Sequence, residues 1–149
     1  MVEQRDSIVN PGAEAIHVFL GFSGINPGVH ALCALGVIDG RPHPRTRITA
    51  PATTNIQAAW ECAALALERL AGRPAVLFTT LQCVKGMEEP DDWRLDGHPT
   101  RQVIQARLAS TGCAVRYVVK GEAPPWMERA QEEARRAYRA WQQTARENQ

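Results

Sequence analysis

The sequence has no apolar run approaching the about 18 residues that a membrane helix requires, and its polar opening, MVEQRDSIVNPGAE, contains no apolar segment of signal-peptide type. Such a chain is expected in the cytoplasm, without a membrane partner. Cysteine is sparse: Cys33, Cys62, Cys83 and Cys113 lie far apart inside apolar segments and form no CxxC pair, which argues against a disulfide framework and for reduced thiols acting as small core residues. His17, His30, His43 and His98 have no zinc-type spacing, with each other or with cysteine, so no structural metal and no cofactor is expected. Charge of one sign is missing too. Seventeen Lys and Arg against sixteen Asp and Glu leave a net +1, so the chain is no globally basic nucleic-acid binder. Any such binding has to come from a local patch or from residues that contact the nucleic-acid backbone.

What is present is one domain's worth of core. A chain of 149 residues that is 44% hydrophobic can bury one real interior but not two comfortable ones. No repeat, low-complexity segment or boundary signal divides it, so a tail over 1–14 is expected ahead of a single domain over 15–147. Residues 15–22 (AIHVFLGF) read as a buried strand closed by the turn-rich SGINPG. A second apolar run, 29–38, stops at Asp39-Gly40, and residues 46–49 read as a third strand, giving an antiparallel meander. After Pro51, Thr53-Thr54-Asn55 offers cap chemistry to a helix whose apolar positions Ile56, Ala59, Trp60, Ala63, Ala64, Leu67 and Leu70 keep helical spacing. Gly72 and Pro74 end it, and residues 75–80 (AVLFTT) suit a central strand reached by a crossover. The acidic, breaker-rich segment 88–97 reads as an exposed loop, 100–109 as a second helix, 113–120 as a fifth strand and 126–146 as a long polar helix.

Four local patterns, in order, resemble type 1 ribonuclease H: Gly21 to Gly28 as GxxxxNPG, TTN opening the helix AAWECAALALERL, TTLQCVKG after the central strand, and VKGEAPPWMERAQEEARR near the end. The resemblance implies an α/β fold with a five-stranded mixed sheet, three antiparallel strands and then parallel ones, flanked by helices. It also implies a comparison of active sites. Members of that family cleave the RNA strand of an RNA–DNA hybrid with two divalent ions about 3.5–4 Å apart, and clustered carboxylates are needed to offset that charge.

Aligned on these patterns, the family's first Asp, six residues before the Asn of NPG, corresponds to Leu20. The helix Glu, four residues after the Asn of TTN, corresponds to Ala59; the Asp after the central strand to Thr80; and the last Asp to Gln131 within MERAQEEA. The mobile His that follows VKG corresponds to Glu122. Two neighbouring acids are candidate replacements. Glu61 stands two residues beyond Ala59, turned well around the helix and expected to face solvent, whereas an alignment without a gap after Gly121 would put Glu132 at the last position. The resemblance therefore implies a catalytically inactive relative, with no metal at the degenerate positions.

Uncharged residues that contact the hybrid backbone in that family correspond to Asn26, Thr54, Asn55 and Gln82, and such side chains can position phosphate and sugar without reading sequence. The same residues also suit plain turn and cap roles. The family's second Asn after TT is Ile56 here, and the segment before the second helix is acidic around Asp91 and Asp92. On the terminal helix, arginines alternate with glutamates as on a solvated, ion-paired face. Trp60 fits the core, while Trp93 and Trp126 are candidates for partial exposure. The leading expectation is a ribonuclease H-like protein without catalysis that retains weak binding to RNA or an RNA–DNA hybrid. The alternatives are a protein-interaction or homodimerisation module on the same scaffold, and a hydrolase with a rearranged metal site.

Overall fold

A computed structural model of the chain describes residues 16–80, 99–118 and 124–148. Three strands come first, β1 (Ile16–Gly24), β2 (His30–Ile38) and β3 (Arg41–Ile48). They are followed by α1 (Asn55–Leu70), β4 (Ala75–Thr79), α2 (Pro99–Thr111), β5 (Ala114–Tyr117) and α3 (Pro125–Glu147). The strands form one mixed sheet in the order β3-β2-β1-β4-β5. The pairs β1–β2 and β2–β3 are antiparallel, and β1–β4 and β4–β5 are parallel, which is the sheet expected from the sequence. The tail over 1–14 and the loop over 88–97 lie outside the described residues. No described helix is long and apolar enough to cross a membrane.

Strand alternation divides the core into two layers. Val18 and Leu20 of β1, with Leu32 and Ala34 of β2, pack against α1 and α2, while Phe19, Cys33 and Leu35 pack on the opposite face against Met127, Ala130 and Ala134 of α3. Trp60, fully buried, sits in the first layer as its spacing predicted, and Trp126, half-buried, packs on the second. Helix α1 is anchored by a capping box: the Thr54 hydroxyl accepts from Gln57 N–H at 3.1 Å, and the Gln57 side chain accepts from Thr54 N–H at 2.9 Å. Helix α3 approaches β1 so closely that a Cβ on Gly21 would stand 2.9 Å from the Ala130 carbonyl carbon and the Gln131 nitrogen. No larger residue fits there without moving the helix.

One boundary differs from the sequence reading. The third strand begins at Arg41, not at residue 46, although Pro42 and Pro44 interrupt the segment. Its place in the sheet explains why. Because β3 is the edge strand and Thr49 N–H donates inward to His30 O at 2.8 Å, odd-numbered residues turn their N–H groups toward β2. Both prolines, even-numbered, turn their missing N–H toward the open edge, where no ladder bond is lost.

Candidate nucleic-acid interface

The four positions aligned with the family's acids come from β1, α1, the end of β4 and α3. Leu20 is buried in the α1-side core, 6% exposed, and Ala59, 2% exposed, belongs to the same cluster. Thr80 is exposed immediately beyond β4, which runs parallel to β1 with Phe78 opposite Phe19. Gln131 comes from α3 and closes onto β1: its Nε2 donates to Phe22 O at 2.6 Å and its Oε1 accepts from Phe22 N–H at 3.3 Å. Among the described residues the strand has no ladder partner on the β4 side beyond Phe19, and this amide takes the place of one.

These side chains do not fit a pair of divalent cations. A hydrocarbon, a methyl group, a hydroxyl and an amide carry no negative charge, and the amide oxygen already accepts a backbone proton. Nearby acids are placed otherwise. Glu132 is half-buried and pairs with Arg135 one turn on, at 3.0 Å. Glu61 is half-buried rather than solvent-facing, a correction to the helical-angle argument. Helix α1 packs against both the sheet and α2, so more than its inner face is covered. Glu122 and Gln82 lie outside the described residues. Among the described residues no group of three or more His, Cys, Asp or Glu could hold a metal ion.

The polar candidates form one network that ties the turn after β1 to the start of α1. Asn26 Oδ1 accepts from Asn55 N–H at 3.0 Å, and Gly28 and Thr53 exchange backbone bonds at 2.9 and 3.1 Å. Asn55 Oδ1 lies 2.9 Å from Nε2 of the fully buried His30, whose Nδ1 lies 3.0 Å from Gly28 O. The Thr49 hydroxyl accepts from His30 N–H at 2.9 Å. Sequence reasoning gave His30 no role, because it stands alone in an apolar run. Yet it joins turn, strand and helix through both ring nitrogens. Asn26 remains exposed, leaving its amide N–H group for an outside acceptor, whereas Asn55 is held by His30 and Thr54 serves as the helix cap.

Beneath this end lie two thiols. Cys62 donates to Cys33 O at 3.1 Å and lies 3.5 Å from Gly21 O. Burial, aided by the Glu133 carboxylate, pushes the Cys33 thiol up to about 12, and burial raises Cys62 further. Both are neutral packing groups rather than nucleophiles or ligands.

A scan against protein-family models gives no match, and a sequence search of curated proteins gives none either. Solved structures do match. Ribonuclease H1 from the halophilic archaeon Halobacterium salinarum superposes with a TM-score of 0.65 at 20% identity, over 85% of this chain and 98% of that one. The N-terminal ribonuclease H domain of a Mycobacterium tuberculosis protein, solved as a fusion with maltose-binding protein, gives 0.67 at 14% identity, over 88% and 98%. LC11 ribonuclease H1, solved in complex with an RNA/DNA hybrid, gives 0.58 at 16% identity, over 78% and 91%. With the strand order and pairing described above, these matches establish that the chain has the ribonuclease H-like fold.

Proposed function

We propose that this chain is a non-hydrolysing protein on a ribonuclease H-like fold that binds nucleic acid, RNA or an RNA–DNA hybrid, weakly and through the sugar–phosphate backbone. The observation that carries the reading is Gln131. At the position aligned with the family's last acid stands an amide whose oxygen and nitrogen are both engaged by Phe22 of β1, so the end of the strand is closed by a neutral hydrogen-bonded pair. Leu20 and Ala59 are core residues. Asn26 keeps an amide donor at the surface, suited to phosphate or sugar oxygens.

The test is a binding titration of a labelled RNA–DNA hybrid, repeated with and without magnesium and at rising salt. Binding is expected at low salt, falling as salt rises, with no dependence on magnesium beyond its contribution to ionic strength. Failure to bind hybrid, RNA or DNA at low salt would overturn the reading in favour of a protein-interaction scaffold.

A further inference from the structure

The net charge of +1 conceals an uneven distribution. On β3 the basic residues Arg41, His43, Arg45 and Arg47 recur at every second position, and their cross-strand partners Ile38, Gly36, Ala34 and Leu32 include residues of the α1-side core. The basic row therefore stands on the α1 side of the sheet edge, and all four side chains are exposed. Across from it, Arg69 Nη1 of α1 donates to His43 O at 2.8 Å and Arg73 follows the helix end. From α2, Arg107 lines, with Arg73, Ser110 and Thr111, an open groove of about 440 Å³ between the ends of the two helices.

Ion pairing separates this face from the other side of the sheet. On α3, Arg129 and Arg136 share an ion pair with Glu133, and Arg135 pairs with Glu132. The described carboxylates away from α3 are Asp39, Glu61 and Glu68. Among the described residues, Arg47 is the one arginine of the row in an ion pair, with Glu68 at 3.0 Å. The Glu68 carboxyl is held below its ordinary range first by the hydrogen bond and charge of Arg47, then by Arg45 and by Arg107. One acid thus lies within reach of cations from two separate elements. The basic residues are almost all arginine, with Lys85 and Lys120 the two lysines of the chain, and the planar guanidinium suits bidentate phosphate contact.

We propose that this face, Arg41, Arg45 and Arg47 of β3 with Arg69, Arg73 and Arg107, holds the phosphate backbone of a nucleic acid. The proposal rests on the reading that the chain binds nucleic acid, and it assigns the electrostatic grip to the edge of the sheet rather than to the end of β1. From Arg41 to Arg47 the row extends about 20 Å at 3.4 Å per residue, a length over which one strand of a duplex presents about six phosphates. Pro42 and Pro44 also remove two outward N–H groups from the same edge, so pairing with another chain's strand is disfavoured there.

The test is fluorescence anisotropy with a labelled RNA–DNA hybrid and with phosphatidylserine vesicles as a second probe. The variants are Arg45→Ala/Arg47→Ala on β3, Arg107→Glu on α2, and Arg139→Glu on α3 as control, each checked for an unchanged circular dichroism spectrum. The double variant is expected to lose affinity about tenfold or more at low salt and to flatten the plot of log affinity against log salt by about two, one unit per lost phosphate contact. Arg107→Glu provides an independent loss should the strand variant fold poorly, and Arg139→Glu should bind as wild type does. Wild-type binding that persists with the same salt slope in both β3 and α2 variants would overturn this placement while leaving nucleic-acid binding intact. Binding to vesicles with none to nucleic acid would overturn both.

Discussion

At the scale of single residues, Gln131 is the position on which the reading turns. Its amide both gives and takes a backbone hydrogen bond at the end of β1, so Gln131→Ala should cost about 1–3 kcal/mol in denaturant unfolding. Gln131→Glu is nearly isosteric but sets a carboxylate oxygen against the Phe22 carbonyl. The variant should therefore be more destabilised, relative to wild type, at neutral pH than near pH 4, where the acid can carry a proton; an unchanged difference between the two would count against the pairing. The buried thiols give a second outcome. Cys33 has its thiol pushed up to about 12 against an ordinary 9.0, so the fold retains a proton that the unfolded chain releases. That stability is complete below about 9 and is lost as pH rises toward about 12. At neutral pH neither Cys33 nor Cys62 should react with a thiol reagent before unfolding, and rapid labelling of native protein at these sites would contradict their burial. The burial of the thiols was legible from their apolar surroundings, but the hydrogen bonds of Gln131 and Cys62 were not. A glutamine in a polar helix and a cysteine in an apolar run have no spacing signal, because their partners are backbone atoms more than twenty residues away.

At the scale of elements, the sequence was readable wherever periodicity and punctuation agreed. Helix α1 shows both a capping signal and an apolar stripe, and Thr54→Ala is expected to lower stability by about 1 kcal/mol in thermal or chemical unfolding. The long α3 helix was equally plain, and its arginines and glutamates form the one-turn pairs that alternation predicts. Strand β3 was half-missed because two prolines normally argue against a strand. They are compatible with this one because it is an edge, a fact of tertiary structure that no local window contains. Replacing Pro42 and Pro44 together by Thr restores two outward N–H donors on an edge already formed. The expected result is concentration-dependent self-association in light scattering, while an unchanged monomer would show that the arginine row alone protects the edge.

At the scale of the whole molecule, the architecture was legible because four patterns kept their order along the chain, and each marks a junction of the fold: the first hairpin, the α1 cap, the end of β4 and the start of α3. The site was legible only in part. The resemblance proposes which side chains correspond to a metal-binding relative's acids, but sequence does not show that Gln131 is held by β1, nor that His30 links Asn55 to Gly28. The basic face escaped notice because its arginines are scattered over three elements and the acids elsewhere balance them in the sum. The most direct measurement for the molecule as a whole is incubation of the purified chain with an RNA–DNA hybrid and magnesium or manganese, beside the quadruple variant Leu20→Asp, Ala59→Glu, Thr80→Asp and Gln131→Asp. Wild type is expected to give no cleavage above buffer, and the variant little, since Glu122 and Ile56 still depart from the resembled pattern and such sites work as coupled units. Metal-dependent cleavage by wild type that survives repurification and is abolished by mutating Glu132 or Glu122 would contradict the non-hydrolysing reading.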